Sequence, residues 1–240
     1  MNAIIVQARM GSTRLKNKML LPLAGKPIIY RIVERLKRVK KAKKIILAIP
    51  NKKENNKIKN IFKNDDVIIF QGSENNLVER YYLAAKKYKI KNIIRFPGDN
   101  CLPEPSEIDK LISFYESFKK PFFGSNLSNI LNNGYPDGIG AEIFGFNFLE
   151  DLMKRNLTIS QKEHPHTNFF DYKKNKPIDD NWCKVRTIKC PKRFNRPDIK
   201  LDVNTFQEYM YIKNIYENLY FKNKNFNILD IINFLDKDEK

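Results

Sequence analysis

Short apolar runs alternate with amphipathic stretches along the N-terminal part of this chain. Four runs are apolar enough to be buried strands of a parallel sheet, namely 3–7, 44–50, 67–70 and 92–96. Between them, apolar positions recur at helical spacing over 27–39, 55–62 and 77–88. Parallel strands joined through helices have right-handed crossovers, which place helices against the faces of the sheet. The pattern predicts an α/β fold, a three-layer α/β/α sandwich around a mostly parallel, Rossmann-like sheet.

The C-terminal part has the same kinds of element in a less regular order. Helical spacing is found over 105–118, 148–153, 209–220 and 227–235. Strand-like runs lie at 122–125, 141–146, 185–188 (an edge strand) and 200–203 (the last core strand). The turn-rich stretch 126–134 suits a lid or an inserted hairpin, and 160–177 is the least regular. Since neither a linker nor a repeat is visible, we predict a single domain over 1–240 with a substrate-binding segment inserted at about 126–180.

Composition narrows the class of protein. With 42% hydrophobic residues and 17 Phe, the chain can form a packed core. Its formal charge of +18 allows nucleic-acid binding. The lysines are spread throughout, however, and no basic stripe is interleaved with aromatic residues. The charge therefore favours attraction of a small anionic substrate.

Cysteines and hydropathy bear on the compartment. Three cysteines without a CxxC pair indicate a reduced protein with no disulfide framework and no structural zinc. No signal peptide is visible, and no apolar run approaches the roughly 20 residues of a membrane span. We expect a soluble cytoplasmic protein.

The first strand leads directly into a small basic loop that carries hydroxyl side chains. Gly11 lets a ligand approach the backbone, and exposed amides around it can form an anion-binding nest. Arg9, Arg14 and Lys18 supply positive charge suited to phosphate. A solvated basic turn after an edge strand is the open alternative.

Neither standard glycine-rich phosphate motif is present. Gly25-Lys26 is followed by Pro27, which excludes a P-loop, and 138–140 lacks the context of a dinucleotide fingerprint. In parallel sheets, ligands bind beyond the carboxyl ends of the strands. This rule places 7–18, 72–80 and Asp99 at one edge, as a single site requires.

A family resemblance begins in the same loop. QARMGSTRLKNKMLLPLAGKPII, residues 7–29, resembles the opening of nucleotidyltransferases of the spore coat polysaccharide type. These are grouped with the cytidylyltransferases that produce CMP-activated acylneuraminate and 3-deoxy-manno-octulosonate. Similar segments follow in the family's order, namely QGSENNLVERYY (71–82), RFPGDN (95–100), YPDG (135–138), Glu142, Glu163-His164 and LDVNT (201–205). The resemblance covers about residues 3 to 220 and implies the nucleotide-diphospho-sugar transferase type of this fold.

The resemblance implies an enzyme, a cytidylyltransferase. It would join CMP from CTP to an acidic sugar, or to another phosphate- or carboxylate-bearing acceptor, and release pyrophosphate. The pathway would be synthesis of a surface polysaccharide such as capsule or lipopolysaccharide. Mg²⁺ or Mn²⁺ would be the cofactor, and the chain would form a homodimer in which 126–180 serves substrate binding or dimerisation. Neither a nucleic acid nor a membrane is implied as a partner.

Carried over residue by residue, the resemblance assigns catalytic roles to Arg9, Lys18 and Asp99. It assigns nucleotide binding to Gln7, Ala8, Arg9, Met10, Gly11, Ser12, Arg14, Lys18, Gly72, Ser73, Arg80 and Gly98. The base would be read by the backbone near Ala8 and by Gly72 and Ser73, with CTP expected over UTP. As a residue on a helix face, Arg80 can instead form a surface ion pair.

Two carboxylates, Asp99 and Asp202, are expected to bind the metal ion. The acylneuraminate enzymes have Asp-x-Asp at the second place, where this chain has Asp-Val-Asn ending at Asn204. Asn204 can coordinate only through a neutral amide. Whether Asp202 or Asn204 completes the metal site stays open.

Acceptor binding is assigned to Asp137, Glu142, Glu163 and His164. His164 and His166 also allow a zinc hypothesis, which lacks a cysteine and an evident third ligand. A hydrogen bond from a loop histidine, or a general base at His164, fits the pattern better.

Two other functions are consistent with parts of the sequence. A metal-dependent glycosyltransferase that uses a nucleotide sugar would share an Asp-x-Asp-like metal site, but the charge near Arg9 and Lys18 suits a triphosphate better. A basic nucleic-acid-binding protein would bind with a steep salt dependence. The dispersed positive charge disfavours that hypothesis.

Overall fold

The computed structural model describes residues 1–238 of the chain. The strands are β1 (Asn2–Gln7), β2 (Pro22–Leu23), β3 (Lys26–Pro27), β4 (Lys44–Pro50), β5 (Ile68–Gly72), β6 (Asn92–Pro97), β7 (Phe123–Ser125), β8 (Glu142–Gly145), β9 (Phe170–Asp171), β10 (Lys176–Pro177) and β11 (Val185–Thr187). The helices are α1 (Ile28–Leu36), α2 (Asn56–Ile61), α3 (Leu77–Lys87), α4 (Pro105–Glu116), α5 (Phe146–Met153), α6 (Ile159–Glu163), α7 (Phe206–Tyr220) and α8 (Ile228–Asp238).

Seven strands form the central sheet in the order β11-β7-β8-β6-β1-β4-β5. The pairs of this sheet are parallel except those of β8, which runs antiparallel to both β6 and β7. Two short antiparallel ribbons, β2–β3 and β9–β10, lie outside it. The mostly parallel sheet is confirmed, and β11 is the edge strand that its sequence predicts.

Helices cover both faces of the sheet, which the alternation of side chains along β1 explains. Ile4 and Val6 pack with α1, α4, α7 and α8 on one face. Ala3 and Ile5 point the other way and pack with α3 and α5. The three-layer α/β/α fold is therefore confirmed. Within residues 1–238, no helix combines the length and apolar character needed to cross a bilayer.

Strand order reverses beside β1, because β4 and β5 extend the sheet to one side whereas β6 lies on the other. Such a reversal opens a crevice at the carboxyl ends of the strands, where ligands of open α/β sheets bind. The loops that follow β1 and β6 both leave the sheet at this crevice.

The expected strand at 200–203 is absent, and so is the hairpin that was one of two alternatives for 126–134. Residues 200–203 are not a core strand, because their β-pairing consists of one isolated bridge between Asn100 and Asp202. The amide of Val203 donates to the carbonyl of Asp99 at 2.9 Å, so this extended segment pairs with the turn after β6. The stretch 126–134 contains no hairpin; it has a 3₁₀ turn at Ile130–Asn132 and is fixed by fully buried Asn126.

The ends of β1 and β6 touch at Gly98. Gln7 is in register with Pro97, and the chain then turns so that Gly98 lies against β1. A Cβ atom added at Gly98 would be 2.2 Å from the carbonyl oxygen of Gln7. Only glycine permits this approach, which sets the distance between the two loops that follow.

Replacement of Gly98 tests this contact. Gly98→Ala should lower the free energy of unfolding by about 1–3 kcal/mol, because backbone atoms of β1 cannot move aside as a flexible side chain would. Gly11→Ala is the matched control, since its new Cβ would be 3.5 Å from the nearest atom, Oε1 of Glu54. Urea unfolding of both variants measures the difference. Equal stability of the two would contradict the close approach.

Candidate active site

An open cleft of about 250 Å³ lies beyond the carboxyl ends of the central strands. Its walls come from the loop after β1, the start of α3, the turn after β6, the end of α6 and the segment before α7. The lining residues are Gln7, Ala8, Arg9, Ser12, Thr13, Arg14, Lys18, Met19, Glu74, Leu77, Arg80, Gly98, Asp99, Glu163, His164 and Asn204. The structure thus brings 7–18, 72–80 and Asp99 to one edge of the sheet, as the sequence predicts.

Two cations of the basic loop are held in place by neutral oxygen atoms. Nζ of Lys18 donates to the carbonyl of Val203 at 2.7 Å, and Nη2 of Arg14 donates to Oδ1 of Asn204 at 2.7 Å. Arg9 is exposed at the mouth of the cleft. The direct acceptors of Lys18 and Arg14 carry no charge, although Asp202 lies near enough to interact with Lys18, and Glu208 with Arg14.

Arg80 does not have the surface position that was the alternative to phosphate binding. It is not part of a surface ion pair; the side chain is 4% exposed, and Nε and Nη1 are buried without a hydrogen-bond partner among the described residues. Burial, with a contribution from the positive charge of Arg9, lowers the pKa of Arg80 to about 10. A buried cation without a partner is costly. An anion in the cleft would remove that cost.

Carboxylates gather beside the turn that follows β6. Burial and then the charges of Glu208 and Asp99 raise the pKa of Asp202. Burial and then the charge of Asp202 raise the pKa of Asp137. Asp99, Asp137 and Asp202 therefore lie close enough to repel one another. Of these, only Asp99 lines the cleft.

These carboxylates suit a divalent cation with few protein ligands. Among residues 1–238, no group of three or more His, Cys, Asp and Glu side chains is placed to hold a metal ion. Mg²⁺ usually keeps several waters and needs one or two carboxylates, which Asp99 and Asp202 can supply. The Nδ2 group of Asn204 donates to Oδ2 of Asp202 while its Oδ1 accepts from Arg14, so its amide oxygen is already used.

The segment expected to read the base lies beside the cleft rather than in it. The carbonyl of Gly72 accepts from the amide of Asn51 at 2.9 Å, and Oγ of Ser73 accepts from the amide of Asn76. Neither Gly72 nor Ser73 lines the cleft; Glu74, paired with Lys52, does. Met10 and Gly11 are also outside, and the amide of Met10 donates to Asn55.

The four acceptor candidates divide into two groups. Glu163 and His164 are exposed and line the cleft. Glu142 is fully buried; its carboxylate accepts from Arg95 at 2.6 Å and from the Tyr172 hydroxyl at 2.7 Å. Asp137 lies behind Asp99, near Asp202. In this conformation only Glu163 and His164 are open to an acceptor.

Sequence reasoning missed the structural meaning of Arg95. It lies within the apolar run Ile93-Ile94-Arg95-Phe96, where a charge must be paired if the strand is buried. Glu142 stands in a similar run, and the register places it directly opposite Arg95. Two opposite charges inside apolar strands were the signal that could have identified this pair. Thr13, Glu74 and Leu77 also line the cleft; they lie within the stretches 7–18 and 72–80 that were predicted to meet there, and Thr13 is one of the hydroxyl side chains of the basic loop.

Comparison with known proteins agrees with this architecture. The cytidylyltransferase family model matches residues 3–228. The chain is 34% identical to the uncharacterized protein MJ1063 of Methanocaldococcus jannaschii, over 98% of this chain and 90% of that protein. It is 29% identical to the spore coat polysaccharide biosynthesis protein SpsF of Bacillus subtilis, over 89% of this chain and 85% of that protein.

A solved structure extends the agreement to three dimensions. A cytidylyltransferase from Leptospira borgpetersenii superposes with a TM-score of 0.86 at 27% identity, and the match covers 99% of this chain and 94% of that one. The resemblance that begins in the basic loop is thus confirmed over nearly the whole chain. This protein belongs to the cytidylyltransferase family and is a nucleotidyltransferase.

Proposed function

We propose that this enzyme transfers CMP from CTP to an acidic sugar, or to another carboxylate- or phosphate-bearing acceptor, in surface polysaccharide synthesis. An acceptor oxygen would form a bond to the α-phosphorus of CTP. The bond from that phosphorus to the oxygen leading to the β-phosphorus would break, and pyrophosphate would leave. The enzyme must therefore stabilise negative charge that moves onto pyrophosphate.

The observation that carries the proposal is a set of cations facing the cleft without carboxylate partners. Arg9, Arg14, Lys18 and Arg80 form no ion pair within the described residues. Cations that gather at a cleft without a direct carboxylate contact favour a highly charged ligand such as a triphosphate. We assign triphosphate contacts to these side chains and catalytic roles to Arg9, Lys18 and Asp99.

Asp99 and Asp202 would hold Mg²⁺ or Mn²⁺ in this proposal. Burial, and then the charges of Glu208 and Asp99, raise the pKa of Asp202, and a cation held by Asp99 and Asp202 would offset this repulsion. The amide of Asn204 is already bonded to Arg14 and Asp202, which favours Asp202 over Asn204 as the second ligand. A bound metal would supply additional charge stabilisation for the phosphates.

The acceptor would enter beside Glu163 and His164, which line the cleft from the segment at about 126–180. This segment would also form a homodimer interface. Ile159 and Ile178 support that assignment, because they are 77% and 51% exposed in the isolated chain. Since CTP is a cytoplasmic metabolite, we place the reaction in the cytoplasm.

Nucleotide selectivity is the first test. We expect CTP with Mg²⁺ to raise the melting temperature more than UTP, ATP or GTP, because a ligand that binds only the folded state stabilises it. Acylneuraminate and 3-deoxy-manno-octulosonate are the first acceptors to assay by pyrophosphate release. A shift with UTP or nucleotide sugars alone would favour a glycosyltransferase, and no shift with any nucleotide would contradict the proposal.

Arg9→Ala and Asp99→Ala should each lower turnover by about 100-fold or more, because each removes charge that acts on the reacting phosphates. The control is Lys16→Ala, which removes a cation from the same loop at an exposed position outside the cleft. Pyrophosphate release measures turnover, and circular dichroism checks the fold. Near-normal rates in both site variants would show that the site is misplaced.

Replacement of Arg80 by Met should affect stability and nucleotide affinity differently. Without ligand, the melting temperature should stay unchanged or rise, because a buried unpaired cation is replaced by an apolar chain of similar length. With MgCTP, the affinity should fall by about tenfold or more as a phosphate contact is lost.

Lys87→Met is the matched control, since it removes one positive charge from the exposed side of the same helix. Thermal shift and calorimetric titration measure both quantities. Destabilisation of free Arg80→Met together with unchanged CTP affinity would assign Arg80 a purely structural role.

A further inference from the structure

Three polar side chains lie on one face of the sheet near its carboxyl edge. Gln7, Arg95 and Glu142 belong to the neighbouring strands β1, β6 and β8, on the face that α3 covers. Arg95 is 3% exposed and Glu142 is 0% exposed. Charges this deep are retained only when they are paired and hydrogen-bonded. The buried pair lies next to Gln7, which lines the cleft.

Glu142 is fully engaged by two donors. Nη1 of Arg95 donates to Oε2 at 2.6 Å, and the hydroxyl of Tyr172 donates to Oε1 at 2.7 Å. Burial and the charge of Glu142 raise the pKa of Tyr172, which therefore keeps its proton. Burial opposes the charge of Arg95, but Glu142 overcomes this effect and raises the pKa of Arg95. The two side chains form a buried salt bridge, which fixes the guanidinium in position.

The fixed guanidinium determines how the Gln7 amide is oriented. Nε of Arg95 donates to Oε1 of Gln7 at 3.2 Å, and the hydroxyl of Tyr81 lies 3.3 Å from the same oxygen. A rotated amide would place its NH₂ group against the N–H of Arg95, two donors facing each other. The Nε2 group therefore points away from Arg95. It is not buried, and it has no hydrogen bond to residues 1–238.

Gln7 lines the cleft next to two uncharged residues: Ala8 follows it in the chain, and Gly98 lies against its backbone carbonyl. Arg14 and Lys18 come from the basic loop farther along the chain. If the triphosphate occupies the basic loop, the uncharged part suits the nucleoside. Cytosine presents two adjacent acceptors, O2 and N3, to an amide donor. Uracil shares the O2 acceptor but presents N3–H, a donor, so an amide N–H that reaches N3 distinguishes the two bases.

We propose that the Gln7 amide donates to the O2/N3 edge of cytosine, and that Arg95, fixed by Glu142 and Tyr172, is the positioning residue that orients it. This inference rests on the CTP-dependent function proposed above. It assigns base selectivity to a side chain, in addition to backbone contacts. It also gives Glu142 a role that differs from binding the acceptor.

Gln7→Glu removes the proposed hydrogen-bond donor to the base. The carboxylate can still accept from Arg95 and Tyr81, so the fold is retained, but the NH₂ group is replaced by an acceptor. We expect CTP affinity to fall by about tenfold or more, and the preference for CTP over UTP to fall by a similar factor. Gln71→Glu is the matched control; it makes the same change at the end of β5, outside the cleft.

A ligand without a base tests whether the negative charge added by Gln7→Glu weakens phosphate binding by itself. Tripolyphosphate with Mg²⁺ has no base, so its affinity should be the same for Gln7→Glu and the wild type. Calorimetric titration with CTP, UTP and tripolyphosphate separates the two effects. An unchanged CTP affinity, or equal losses for CTP and tripolyphosphate, would overturn the base contact.

A double variant tests the positioning role. Arg95→Met with Glu142→Met replaces the ion pair by apolar side chains, an exchange that often preserves stability. If the pair does not orient Gln7, this variant should bind CTP with the selectivity of the wild type. We expect it to lose CTP preference over UTP while its tripolyphosphate affinity is kept. Wild-type selectivity in the folded double variant would overturn the role of Arg95; if the double variant does not fold, Gln7→Glu still decides the base contact.

Different results would contradict the base contact of Gln7 and the CTP-dependent function. Wild-type protein that binds tripolyphosphate but no nucleotide selectively would overturn both. Wild-type protein that prefers CTP, combined with Gln7→Glu protein that prefers it equally, would overturn only the assignment to Gln7.

Discussion

The placement of β1 between β4 and β6 is the constraint on which the rest of the structure depends. Its register aligns Gln7 with Ala48 on one side and Pro97 on the other, so β1 and β6 end at the same level while β4 continues to Pro50. Gly98 then lies against the carbonyl of Gln7 and lets the turn after β6 pass close by. The basic loop and Asp99 face each other because these strand ends are fixed. A residue with a Cβ at position 98 would separate the two halves of the cleft.

Much of this arrangement could be predicted from local sequence patterns. The strand over 44–50 and the helix that begins at Leu77 agree with expectation, since apolar periodicity records which face of an element is buried. The common edge for 7–18, 72–80 and Asp99 follows from a topological rule. These features depend on short-range patterns that the fold preserves.

Features that depend on distant partners could not be predicted. Leu201 and Val203 are fully buried with polar neighbours between them, which is a strand pattern, but their partner is a turn about one hundred residues away rather than a sheet strand. The surface alternative for Arg80 was wrong because a single helix does not reveal whether another layer covers that face. The family resemblance assigned Glu142 to acceptor binding. Strand register instead places it opposite Arg95, in a neighbouring strand that is distant in sequence.

The burial of Arg80 beside Arg9 has a consequence for the energetics of the empty enzyme. Its guanidinium is removed from water, two of its nitrogen atoms have no hydrogen-bond partner among residues 1–238, and the charge of Arg9 adds to the cost. This cost is electrostatic strain in the ligand-free protein, and an anion bound in the cleft would relieve it. Stability and phosphate affinity are thereby linked through one set of side chains. Changes that relieve the strain by removing a cation should make the empty protein more stable and its complex weaker.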